Sequence, residues 1–83
     1  MNPILHCLRV IDTGGYPISN VTVKEIDSRG NSISEALTDR NGYTVLKLKR
    51  AAKQLKISCA NYQEKELSVD ELHDSPIELV LKI

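Results

Sequence analysis

Apolar and polar residues alternate with a period of two along most of this chain, and that alternation is what most limits how it can fold. In "ILHCLRVI" (Ile4–Ile11) it places Ile4, His6, Leu8 and Val10 on one face. In "NVTVKEI" Val21 and Val23 share a side, with Glu25 in phase, against Thr22, Lys24 and Ile26. "ISEAL" sets Ile33, Glu35 and Leu37 against Ser34 and Ala36, and "TVLKL" sets Thr44, Leu46 and Leu48 against Val45 and Lys47. "LKISCA" sets Leu55, Ile57 and Cys59 against Lys56, Ser58 and Ala60, and "KELSV" offers Leu67 and Val69. "IELVLKI" sets Ile77, Leu79, Leu81 and Ile83 against Glu78, Val80 and Lys82. Successive side chains of a strand point to opposite faces, so period-two segments of this length, rich in Val, Ile and Leu, predict strands.

Turn chemistry separates the segments. "DTGGYP", "DSRGNS" and "DRNG" each combine an Asp that can cap a turn with a Gly that tolerates positive φ. "KRAAKQ" reads as a polar connector able to form a helical turn, and Ser68 and Glu71 have the spacing of a capping box. Pro76 restarts an extended segment. Seven short strands with regular turns and no long helix predict a single all-β domain over 1–83, a β-sandwich or small barrel. The pattern alone reads "DRNG" as a plain hairpin between its two flanking strands. No linker, internal repeat or low-complexity tract is apparent.

Composition bounds the function. A chain of 83 residues has room for one small core and buries only roughly 60–65% of its unfolded surface. Eleven basic residues balance eleven acidic ones, so neither nucleic acid nor anionic lipid is an expected partner. The apolar runs are too short for membrane insertion. "MNPILHCLRV" lacks the basic start and long apolar stretch of a signal peptide. The chain is then either cytoplasmic, or it begins after a processing site with Met1 as an added start.

"TDRNGYTVL" (Thr38–Leu46) raises the question of a calcium loop, since Asp39 and Asn41 are oxygen ligands one residue apart beside Gly42. An EF-hand needs D-x-[DN]-x-[DN]-G and a bidentate Glu at the twelfth position. Counting from Asp39, the fifth position is Tyr43 and the twelfth is Arg50; placing Gly42 sixth puts Leu37 first. Both registers fail. Asp39, Asn41 and Gly42 are read as a structural turn, with Asp39 accepting from backbone N–H groups and Gly42 left-handed.

Other candidate sites are weaker. Cys7, Cys59, His6 and His73 are the soft ligands, but His6 and Cys7 are neighbours on a strand and point apart, so neither zinc nor any other metal or cofactor is expected. Free thiols are expected at both cysteines, and no catalytic site is apparent around either. Asp70, Glu71 and Asp74 fit a solvated loop better than an acid–base pair. "NVT" at Asn20 is a formal glycosylation sequon. Tyr16, Tyr43 and Tyr62 are the only aromatics, a poor basis for a carbohydrate platform.

In order and spacing the motifs resemble the carboxypeptidase regulatory-like domain. The pattern V-x-D-x-x-G-x-P-[LI]-x-G-[VA]-x-V maps to Val10, Asp12, Gly15, Pro17, Ile18, Val21 and Val23; T-D-x-x-G maps to Thr38, Asp39 and Gly42; and L-x-[VI]-S-x-x-G-[YF] maps to Leu55, Ile57, Ser58 and Tyr62. The resemblance runs from about Leu8 to Ile83. It implies a transthyretin-like, seven-stranded, antiparallel or mixed Greek-key β-sandwich in which Thr44–Leu48 crosses to the other sheet. Cys59 would point inward and Cys7 outward. Asn20 and Asn61 stand where the family has Gly, and as the next-best left-handed residue Asn preserves those turns. Thr44 stands where a core Phe is common.

The family resemblance also implies function. Such domains are non-catalytic accessory modules of exported or cell-envelope bacterial proteins, for example ahead of TonB-dependent outer-membrane receptors. The expectation is a monomeric spacer or docking domain of the periplasm or cell envelope, meeting a protein partner by an edge strand or a loop. The alternatives are a stand-alone small ligand-binding protein, or an accessory domain of a peptidase or glycan-processing enzyme. Related hydroxyisourate hydrolases end in Y-R-G-S, whereas this chain ends in "LVLKI"; collagen-binding B-type repeats carry an isopeptide lysine in the first strand, where only Arg9 is present.

Overall fold

A computed structural model describes residues 4–72 and 76–82. The strands are β1 (Ile4–Ile11), β2 (Thr22–Asp27), β3 (Ser32–Leu37), β4 (Tyr43–Leu48), β5 (Ala52–Ser58), β6 (Lys65–Ser68) and β7 (Ile77–Glu78), with a 3₁₀ turn over Val69–Glu71. They form two sheets, one in the order β4-β1-β7 and one in the order β3-β2-β5-β6. The β1–β7 pair is parallel and the others are antiparallel. The sequence expectations for the Ile4 side chain, His73, Asp74 and Ile83 lie outside the described residues.

Alternation sets which faces meet. Leu8 and Val10 of β1, Leu46 of β4, and Ile77 and Leu79 pack against Val21 and Val23 of β2 and Leu55 and Ile57 of β5. Each such buried aliphatic contributes about 1.5–3 kcal/mol relative to exposure. The core is wholly aliphatic apart from polar Thr38, Thr44 and Glu25, which are buried too.

Three expectations from the sequence need correction. "DRNG" does not close a hairpin between β3 and β4, because the two strands belong to different sheets. Thr38 stays with β2, its N–H donating to Val21 O, while Gly42 O accepts from Val10 N–H of β1; the chain changes sheet between those bonds. "KRAAKQ" is not a helical connector: a tight turn (Ala52 N–H to Lys49 O, 3.0 Å) leads into β5, which starts at the buried Ala52. The last apolar segment is not one long strand. It leaves β1 after Leu79 N–H bonds Ile11 O, and then Val80 O accepts from Gln63 N–H and Leu81 bridges Tyr62. Changing neighbours breaks the alternation, so Leu79 is buried while Val80 and Leu81 are exposed.

Candidate functional site

The three aspartate turns share one geometry. Asp12 Oδ1 accepts from the N–H groups of Gly14 and Tyr16, both at 2.9 Å. Asp27 Oδ1 does the same with Arg29 and Asn31 at 2.9 Å, and Asp39 Oδ1 with Asn41 at 2.8 Å and Tyr43 at 3.0 Å. In each turn the Asp N–H donates to the carbonyl four residues on, and the N–H three residues on, from Gly15, Gly30 or Gly42, returns to the Asp carbonyl. The three glycines have φ of 86°, 85° and 79°. A turn closed by a left-handed residue is a standard route between strands. D-x-x-G-x therefore recurs at 12–16, 27–31 and 39–43 as one structural device; the Asp cap and the Gly were expected in each stretch, and the structure adds their common hydrogen-bond pattern.

Gly42 has a second role. A Cβ there would sit 2.5 Å from Val10 O and 3.2 Å from Pro17 Cβ. The reason is that Val10 is shared: its N–H donates to Gly42 O, and its carbonyl accepts from Ile18 N–H. Beside it, Thr38 Oγ1 donates to Ile18 O at 2.8 Å and accepts from Val21 N–H at 3.0 Å, both buried. Thr38 thus holds the 18–21 corner around Asn20, whose φ is 59°. Asn61 has φ 72° and accepts from Lys82 N–H through its carbonyl. Asn20→Gly and Asn61→Gly are expected to leave the urea midpoint close to wild type. The corresponding alanine variants should each cost about 1–2 kcal/mol, the penalty for an ordinary L-residue in that region.

Other sequence-predicted groups are placed as follows. Cys7 is exposed and Cys59 is half-buried against the core, and both thiols are free. His6 is half-buried, and its Nε2 has no hydrogen-bond partner among the described residues. Glu71 Oε1 accepts from Ser68 N–H and Ser68 Oγ accepts from Asp70 N–H, completing the capping box. Tyr62 packs partly buried against the core. Among the described residues no three His, Cys, Asp or Glu side chains converge on a metal position. A recess of 130 Å³ between Leu8, Leu67, Leu72 and Ile77 is small beside the ~300–1,000 Å³ of typical ligand pockets, whereas a hollow of 480 Å³ bordered by Asp27, Lys53, Gln54 and Asp70 reaches that size.

The two outer faces differ in charge. On the β3-β2-β5-β6 sheet the register lines up Glu35, Lys24, Lys56 and Glu66 across four strands. Lys56 Nζ lies 3.5 Å from Glu64 and 3.8 Å from Glu66. On the other sheet, β1 and β4 carry Arg9 and Lys47 with no Asp or Glu, and the one acid of its strands is Glu78 of β7, paired with Ile11 on the far side of β1 from β4. Leu5, Tyr43 and Val45 are exposed there at 64%, 43% and 59%. Arg9 lies 5.2 Å from the Tyr43 ring centroid, within cation–π range, and its Nε donates to Asn41 O at 3.4 Å. The Asp39 turn therefore positions Arg9 on this face.

No protein-family model matches this sequence, and no curated protein matches it.

Sequence reasoning missed the roles of Thr38 and Glu25. Thr38 carried a signal in its place just before the Asp39 turn. Glu25 carried one in being in phase with Val21 and Val23. The basic β1–β4 face gave none, since its outward residues look like any solvated half of an alternating strand.

Proposed function

We propose that this chain is a non-catalytic β-sandwich accessory module with the seven-stranded, Greek-key, transthyretin-like topology of carboxypeptidase regulatory-like domains. It serves as a monomeric spacer or docking domain within a larger exported or cell-envelope bacterial protein. The observation that carries this reading is where the carboxylates go. Asp12, Asp27, Asp39, Glu71 and the buried Glu25 all accept backbone N–H groups. Side chains that resemble chemistry are spent on holding turns, caps and sheets, and the outer faces and strand edges are left for contact. The crossing of β4 to the second sheet and the left-handed Asn20 and Asn61 support the family resemblance.

The encoding reading frame tests it. The expected result is an export signal upstream together with a receptor barrel, peptidase or other large domain on the same chain. A frame coding for these residues alone, without export, overturns the module reading and favours a stand-alone binding protein.

A further inference from the structure

We infer that the outer edge of β4, with the apolar face beside it, takes an acidic, extended protein segment as an added strand. This inference rests on the docking reading above and names its surface and its partner's chemistry.

The edge is defined by hydrogen-bond parity. In an antiparallel pair, alternate residues of a strand bond to the neighbour and the rest point the other way. Gly42 O bonds Val10 of β1, and Tyr43 points away, its N–H and C=O both engaged by Asp39. Val45 and Lys47 follow Tyr43 in parity. β4 is the end strand of its sheet, so among the described residues the N–H and C=O of these two face no neighbouring strand. Beyond them, Lys49 N–H is taken by Glu25. The open edge is thus a short window closed at both ends by carboxylates. An incoming strand would find four backbone groups there.

Charge selects the occupant. From Tyr43 to Arg50, along β4 and just past it, the chain carries Lys47, Lys49 and Arg50 and no acid. On the other sheet Lys56 is matched by Glu64 and Glu66, whereas Lys47 lies opposite Leu5 and Arg9 opposite Tyr43, with no carboxylate facing either across β1 and β4. A charged residue on an edge strand opposes pairing with a second copy of the same edge. The same lysine favours a strand carrying Glu or Asp. Alternate apolar residues on that strand would extend the cover over Val45 and Leu5, both more than half exposed.

The test uses isotope-labelled protein and a short synthetic peptide of alternating Glu and Val. The peptide is expected to shift the Val45 and Lys47 amides and to slow their hydrogen exchange. Lys47→Glu should weaken binding by about tenfold or more, and Lys47→Gln by less, in line with loss of a charge pair. N-methylation of the peptide's pairing amides should abolish binding, because the backbone bonds carry it. Lys47 is exposed, so both variants should keep wild-type amide dispersion. Unchanged Val45 and Lys47 amides overturn the inference, as do shifts confined to β3 or β6 or equal affinity for Lys47→Glu. Equal capture by phosphatidylglycerol vesicles through the same residues would also overturn it, making the face a lipid contact. So would a dimer formed through β4 in sedimentation. Failure of the peptide with an exported, multidomain reading frame removes this surface and leaves the docking reading. A lone, unexported frame removes that reading instead.

Discussion

Gly42→Ala is expected to lower the unfolding free energy by roughly 3–5 kcal/mol, the upper range for a single substitution. Two effects add. A left-handed backbone costs an L-residue about 1–2 kcal/mol, and Gly42 has φ 79°. The added Cβ also meets Val10 O at 2.5 Å, and that carbonyl cannot retreat without losing its bond from Ile18 N–H. Gly15 and Gly30 serve as internal controls. They have the same sign of φ, but a Cβ at either meets nothing within 4 Å. Their alanine variants should lose only the conformational part, about 1–2 kcal/mol. A domain of this size has total stability on the order of 4–12 kcal/mol, so Gly42→Ala should be marginal or unfolded where the controls remain folded. Urea titration separates them, and equal midpoints for all three would mean that the Val10 contact carries no energy.

Glu25→Ala is the second large loss, at about 2–4 kcal/mol. Glu25 sits on β2 at 2% exposure, among the core aliphatics. Its Oε1 accepts from Lys49 N–H at 2.9 Å, just past the end of β4 in the other sheet. One side chain therefore ties the two sheets together. Truncation leaves a cavity and a part-buried amide with no acceptor. Glu25→Gln retains a carbonyl oxygen that can accept the same N–H and should cost only about 1 kcal/mol. The ratio of the two losses is the informative quantity. If Gln is as damaging as Ala, the charge rather than the hydrogen bond is what β2 needs.

Most of the fold was legible where one face of a strand is buried. β1, β2, β4 and β5 follow the alternation because a slip of one residue would turn Leu8, Val23, Leu46 or Ile57 to water. Legibility fails at the margins for physical reasons. Leu37 is 57% exposed because the register pairs it with Thr22 on the outer face, while Ala36 pairs with the buried Val23 and packs on the core. Ala52 resembles a helix former, yet its small side chain is buried at the start of β5. The final segment changes neighbours mid-way, which no periodicity encodes. The sheet change between β3 and β4 was legible only through the family resemblance, since the local turn residues are those of a hairpin. The β1–β4 surface was not legible at all. It exists because the β1–β4 register puts Tyr43 opposite Arg9 and Leu5 opposite Lys47, with no acid in either pair, and register is a long-range property.

The aspartates decide whether this chain's chemistry is structural. The most direct measurement is the urea midpoint of Asp39→Ala against wild type, each with and without millimolar calcium. Asp39 Oδ1 already accepts two backbone N–H groups. Removing it should cost about 0.5–2 kcal/mol, by analogy with helix caps. Calcium should leave both midpoints where they were, because a ligand raises stability only if the native state binds it. A wild-type midpoint for Asp39→Ala, together with a calcium-dependent rise in the wild-type protein that the variant loses, would contradict the structural reading and make the turn a binding site.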